Sequence, residues 1–270
     1  MDKIHGTKNS HIQLPKSILE GFSFQEKITN EMGYPETKNY IYCMDMEGNI
    51  TKIDISDANV QHGYYENEVE ELFSLFESAF GEVKAKIKAA LKSREKGFLK
   101  LSLPQNTESV IKKYCALCLI RSEEFVKGIA KKSLFIDVLA NTPPNVVAYT
   151  YMRKPELVDK LFESKSFSFA FSTATKFILP QRGMYLISRS NSFDVYIPIS
   201  PNIAIVLTEY AVIDNDGVLI VGEANDHDVE ILNKIGIKTE IKYNQRAIYA
   251  QSEDDLIKYR DFLLSLKEGN

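Results

Sequence analysis

Apolar and polar positions change rhythm several times along the chain, and each rhythm predicts an element. In "HIQLPKSILEGFS", Pro15 occupies the first turn of a helix, where its missing N–H is not needed. Ile18, Leu19 and Phe22 follow at helical spacing and Gly21 marks the end, so a short entry helix is expected. "NYIYCMDMEGNITKIDI" has two alternating β-rich runs around Glu47-Gly48-Asn49, a β-hairpin pattern. From Glu66 to Arg94, Val69, Leu72, Phe73, Phe76, Phe80, Val83, Ile87 and Leu91 fall on one stripe at spacings of three and four. This predicts a long amphipathic helix. Its first half is acidic and its second half basic, the order favoured by the helix dipole, so the lysines read as a solvated face.

A further helical region is expected from Thr107 to Ser133, and another from Pro144 to Ser164 with a break near Pro155. From Ser166 to Val221 the texture turns β-branched and aromatic, with turns at Pro198–Asn202 and Asn215–Gly217. A short helix over Asp228–Lys234, a strand in "QRAIYA" and a terminal helix complete the chain. That last helix opens with the capping-box pattern Ser252-Glu253-Asp254-Asp255. Segregated helices and strands indicate an α+β fold: a hairpin and helical region packed against a mostly antiparallel C-terminal sheet with a closing helix. A single domain is expected over 11–267, or two tightly packed halves, 11–165 and 166–267, after a flexible arm at 1–10.

Composition narrows the class. The 270 residues are 44% hydrophobic and 26% charged, an ordinary globular balance. The formal net charge of −4 supplies no overall footprint for a nucleic-acid backbone. Three cysteines, Cys43, Cys115 and Cys118, argue against a disulfide framework and fit a reducing cytoplasm. No apolar run suggests a signal peptide or a membrane span, so a cytoplasmic protein without membrane partners is expected.

Candidate chemistry is sparse. His11 could serve as a general base or phosphate ligand, or simply bond a neighbouring backbone group at the helix entry. Cys115 and Cys118 have redox spacing but lie within an apolar helix, where buried structural thiols are expected. Asn225-Asp226-His227-Asp228 reads as a helix start more readily than a metal cluster. Glu240-Ile241-Lys242, on an expected strand, invites a nuclease reading, yet the same Glu-x-Lys pattern recurs at Glu36, Glu82 and Glu163. Arginines are few, seven against twenty-six lysines, and Arg121 and Arg246 stand beside apolar runs, as does Asn233. The candidate polar site is His11, Glu70, Arg121, Asn233 and Arg246. No cofactor or metal is expected.

Several of these stretches resemble a family of bacterial and phage proteins, a domain of unknown function. Its opening motif H-x-x-P-x-x-x-L-x-x-F is matched by Pro15, Leu19 and Phe22, with His11 one residue further upstream. "YYENEVEELFSLFESAFGEVKAKIK" is similar to the family's acidic helix at Tyr65, Glu70 and Glu77. "IRSEEF", with Arg121-Ser122, "VYIPISPNIAIVL" and "ILNKIGIKTEIKYNQRAIYA", with Asn233 and Arg246, are similar to later segments. The chain departs from the family at Ser172–Thr175, where many members carry a serine-aspartate-asparagine-proline turn. The resemblance implies a recognition or effector protein of phage–host conflict or a mobile element, whose partner could be a protein or nucleic acid. A nuclease-type enzyme using His11, Glu70, Arg121 and Arg246, and a small-molecule sensor, are the alternatives.

Overall fold

The computed structural model describes residues 9–11, 14–62, 67–92, 99–101, 106–121, 153–154, 162–188, 193–209, 219–242 and 247–268. Within them the fold is α+β, with five helices, largely antiparallel sheets and a closing C-terminal helix. No helix among the described residues is long and apolar enough to cross a membrane.

The chain forms two compact units, each drawn from three separate segments. The first comprises Met1–Pro15, Asn59–Phe169 and Val206–Gly222; the second comprises Lys16–Ala58, Ala170–Ile205 and Glu223–Asn270.

In the first unit, β1 (Asn9–His11) pairs antiparallel with β5 (Val60–His62). The long helix α2 (Asn67–Lys92) follows the expected stripe, with Val69, Phe73, Phe80, Val83 and Ile87 buried. Helix α3 (Thr107–Ile120) lies against it. Phe80 stacks on Tyr114 with ring centroids 3.6 Å apart, while Arg121 reaches back to Glu77, so the two helices run antiparallel. β6 (Leu99–Leu101) pairs antiparallel with β12 (Leu219–Glu223). The expected continuation of α3 to Ser133 and the helix over Pro144–Ser164 lie outside the described residues, apart from Arg153, Lys154 and a turn at Phe162–Ser164.

In the second unit, α1 (Lys16–Phe22) buries Ile18, Leu19 and Phe22 completely, as its spacing predicts. Gly21 lets it approach β10 (Phe193–Ser200): a Cβ there would sit 2.1 Å from the Ile199 carbonyl oxygen. Backbone cannot yield to such a clash, so the position demands glycine. β3 (Pro35–Asp45) and β4 (Ile50–Asp54) form the expected hairpin. Asp45 holds its turn by accepting the Glu47 and Asn49 N–H groups at 2.8 and 2.9 Å, and Gly48 takes a left-handed φ of 80°.

β2 (Phe24–Thr29), not expected from the sequence, pairs with Pro35–Tyr40 of β3. β13 (Ala247–Ala250) pairs with Tyr42–Asp45 of the same strand and also with β8 (Leu179–Pro180). Since β4 takes one edge of β3 over Tyr40–Met44, β2 and β13 lie in tandem along the other. Gln251 Nε2 bridges their ends by donating to the Ser23 carbonyl at 3.2 Å.

Helix α4 spans Asp226–Lys242, far longer than the expected Asp228–Lys234, and places Glu240 on a helix instead of a strand. The β-branched look of "IGIKTEIK" misled the local reading; tertiary packing overrides such weak propensity. Gly236 sits against Tyr185 of β9 (Tyr185–Ser188), where a Cβ would come within 2.5 Å of the ring. Helix α5 (Glu253–Glu268) closes the unit, its Leu256, Tyr259 and Leu263 packing with Met44, Ile178, Ile237 and Ile248. β10 pairs antiparallel with β9, and β7 (Ser166–Phe171) and β11 (Ile203–Thr208) are the remaining described strands.

Candidate functional site

The residues suggested by sequence do not form one described cluster. His11 is on β1 in the first unit, paired through its backbone with Val60. Glu70 and Arg121 are in the same unit, but Arg121 is engaged by Glu77 on α2, with Nη2 to Oε1 at 2.5 Å. Its guanidinium also lies 4.4 Å from the Phe73 ring centroid. Glu70 carries a buried Oε1 with no hydrogen-bond partner among the described residues. Asn233 is in the second unit, on α4. Arg246 lies outside the described residues.

Asn233 is fully buried and its amide is spent on structure. Oδ1 accepts from the Ile178 N–H at 3.2 Å and from the Tyr185 hydroxyl at 2.9 Å. Nδ2 donates to the Lys176 carbonyl and to the Tyr259 hydroxyl, both at 2.8 Å. Tyr185 shares its hydrogen with the Ile178 carbonyl. Burial, with Tyr259 and Glu240 nearby, raises the Tyr185 pKa well above its usual value; burial also raises that of Tyr259. Both phenols therefore stay neutral, and the network ties α4, β9, α5 and the chain leading into β8 together. Arg182 and Glu240 add a buried ion pair at 3.8 Å, and Gln181 Oε1 accepts the Ala247 N–H at 2.9 Å.

The thiols are similarly retired. Burial pushes Cys118 up to about 12 and Cys115 well above its usual value. Burial and the nearby Asp45 raise Cys43 to about 11. Protonated thiols are poor nucleophiles and poor metal ligands. Asn225 proves to be the N-cap of α4, its Oδ1 accepting the Asp228 N–H at 2.8 Å. Asp226 accepts from the Thr175 N–H at 2.8 Å, which anchors the Ser172–Thr175 turn. Among the described residues no group of three histidine, cysteine or acidic side chains is placed to hold a metal ion.

A different set of residues builds a cleft. Where β13 gives way to β2 beside β3, α5 begins directly above the sheet. The opening, about 410 Å³, is lined by Phe24, Tyr42, Gln251, Ser252, Glu253 and Asp254. Its floor is aromatic: Phe24 stacks on Tyr42 at 5.4 Å and meets Tyr40 at 6.3 Å. The strand register explains the row, since Phe24 lies opposite Tyr40, and Tyr40 and Tyr42 share a face of β3. Its wall is the first turn of α5. There Ser252 and Asp255 satisfy each other, with Oγ to Oδ2 at 2.6 Å and the Asp255 N–H to Oγ at 3.3 Å. Asp255 is thus used in capping, whereas Glu253 and Asp254 are exposed and form no ion pair among the described residues.

Sequence reasoning missed this cleft. Ser252–Asp255 was legible only as a cap, and β2 was not recognised, so Phe24 had no assigned neighbour. The available signal was the alternation in "FQEKIT", half-buried at every second position in the structure.

Comparison with protein-family models, with curated proteins and with solved structures returns no match for this chain.

Proposed function

We propose that this is a recognition protein that engages its partner through the cleft between the Phe24–Tyr42 floor and the first turn of α5, in the phage–host or mobile-element setting implied by the motif resemblance. The observation that carries the reading is the contrast in how polar groups are used. Asn233, Arg121 and the three thiols serve internal bonds or burial. At the cleft, by contrast, half-buried rings and exposed carboxylates line a common opening. Binding sites combine an apolar surface with a few orienting polar groups, and this cleft has both.

The test is selection from a display library of random linear peptides, with Phe24→Ala as the counter-screen. Recognition predicts enriched peptides whose binding falls at least tenfold in the variant. In parallel, the purified protein is assayed for hydrolysis of DNA and RNA with and without divalent cations. Hydrolysis abolished by Arg121→Ala or Glu70→Gln, in a protein that retains its fold, overturns the reading in favour of the nuclease alternative.

A further inference from the structure

The chemistry of the cleft also selects what it holds. Its floor carries two half-buried aromatic rings and its wall two exposed carboxylates, and rings and carboxylates both attract positive charge. A helix N-terminus alone would attract an anion, with roughly half a positive charge. Here Glu253, Asp254 and Asp255 in the first turn outweigh it several-fold. The sheet face beside the cleft already shows how such a cation is held. Lys52, extending from β4, places Nζ 4.8 Å from the Tyr40 ring centroid and 2.6 Å from Glu26 Oε2. Tyr40 is the first ring of the row that Phe24 and Tyr42 continue into the cleft. The internal lysine thus uses a ring and a carboxylate in the combination that the cleft offers to solvent.

We infer that the cleft receives the side-chain cation of a basic peptide segment, a lysine ammonium or arginine guanidinium set over the Phe24–Tyr42 floor and paired with Glu253 and Asp254. This rests on the recognition reading above and assigns its ligand class. Gln251 stands at the rim, its Nε2 on the Ser23 carbonyl. A phosphate-bearing ligand would meet repulsion from the same two carboxylates.

The experiment is an NMR titration of the full chain with an acetylated lysine–glycine–lysine amide. The controls are the same peptide with both lysine side chains acetylated, and inorganic phosphate. The expected result is a shift of the Phe24 and Gln251–Asp254 amides by the charged peptide. Affinity should fall at least fivefold on side-chain acetylation, and at least fivefold in the Glu253→Gln, Asp254→Asn double variant. Resonances remote from the cleft should be unchanged in that variant, which reports an intact fold. Equal binding of charged and acetylated peptides, unchanged binding in the double variant, or cleft shifts produced by phosphate overturns the inference. The display selection separates the two levels. Neutral or acidic peptides that depend on Phe24 would keep the recognition reading and remove the cation. No Phe24-dependent peptide would remove the recognition reading itself.

Discussion

The Asn233 network and the α5 cleft lie in the same unit, and both are built from aromatic rings and polar side chains. They differ in where the polar atoms point. Around Asn233 an amide, two tyrosine hydroxyls and two backbone groups close on one another with no exposure of the amide. At the cleft Phe24 stacks on Tyr42, and the exposed Glu253 and Asp254 remain outside any described ion pair. Polar groups in the first region hold elements together because leaving them unpaired in a low-dielectric interior is costly. Those in the second are solvated and can exchange water for a ligand. A polar residue beside an apolar run is therefore an ambiguous signal until its burial is known.

The sharpest way to break this contrast is Asn233→Ala. It strands the Ile178 N–H, the Lys176 carbonyl and the Tyr259 hydroxyl, while the Tyr185 hydroxyl keeps the Ile178 carbonyl. At about 1–3 kcal/mol for each buried group left unsatisfied, a loss of at least about 3 kcal/mol is expected. Denaturant unfolding measures it; a loss below about 1 kcal/mol would mean that the network is not a structural clamp.

Alkaline pH probes the interior by a second route. Cys43 and Cys118 ionise in the folded protein near 11 and 12, against an ordinary value of 9.0. The unfolded chain therefore releases these protons first. Stability is fully present below about pH 9 and falls as pH rises toward those values, at about 1.4 kcal/mol per pH unit for each thiol. Unfolding midpoints at pH 8 and pH 10 should show the fall, and Cys118→Ala should flatten it. An unchanged midpoint would place these thiols in contact with water.

The smallest expected effect on stability is at the cleft. Removing both exposed charges with Glu253→Gln and Asp254→Asn weakens the helix-dipole interaction by about 0.3–1 kcal/mol per charge at most. Thermal unfolding should move by only a few degrees while peptide binding is lost. A large destabilisation would make these carboxylates structural and erase the distinction between the two regions.

Much of the fold was legible in local patterns. The α2 stripe, the entry helix burying Ile18, Leu19 and Phe22, the β3–β4 hairpin with its Asp45 turn and the Ser252 cap all emerged as read. Each depends on residues within a turn or two of chain, where spacing alone decides which side chains share a face. Two local readings went astray where local preference was weak. α4 runs through "IGIKTEIK" because Ile237 is buried in the core and Gly236 admits Tyr185. β2 forms because β3 extends far enough to pair with it.

The candidate site was far less legible. Asn233 was singled out as a polar suspect, but only its four buried bonds identify it as a clamp. Arg121 was placed at the end of its helix, but Glu77, on the preceding helix, defines its role. By itself the sequence determined the short-range periodicities, the caps and the turn chemistry, because those interactions join residues a few positions apart. The tertiary structure alone decided that Ser23 would meet Gln251 across most of the chain, laying β2 end to end with β13 and opening a cleft beneath α5. Such contacts are selected by the burial of whole faces against one another, a free energy that belongs to the assembled core and to no single stretch of sequence.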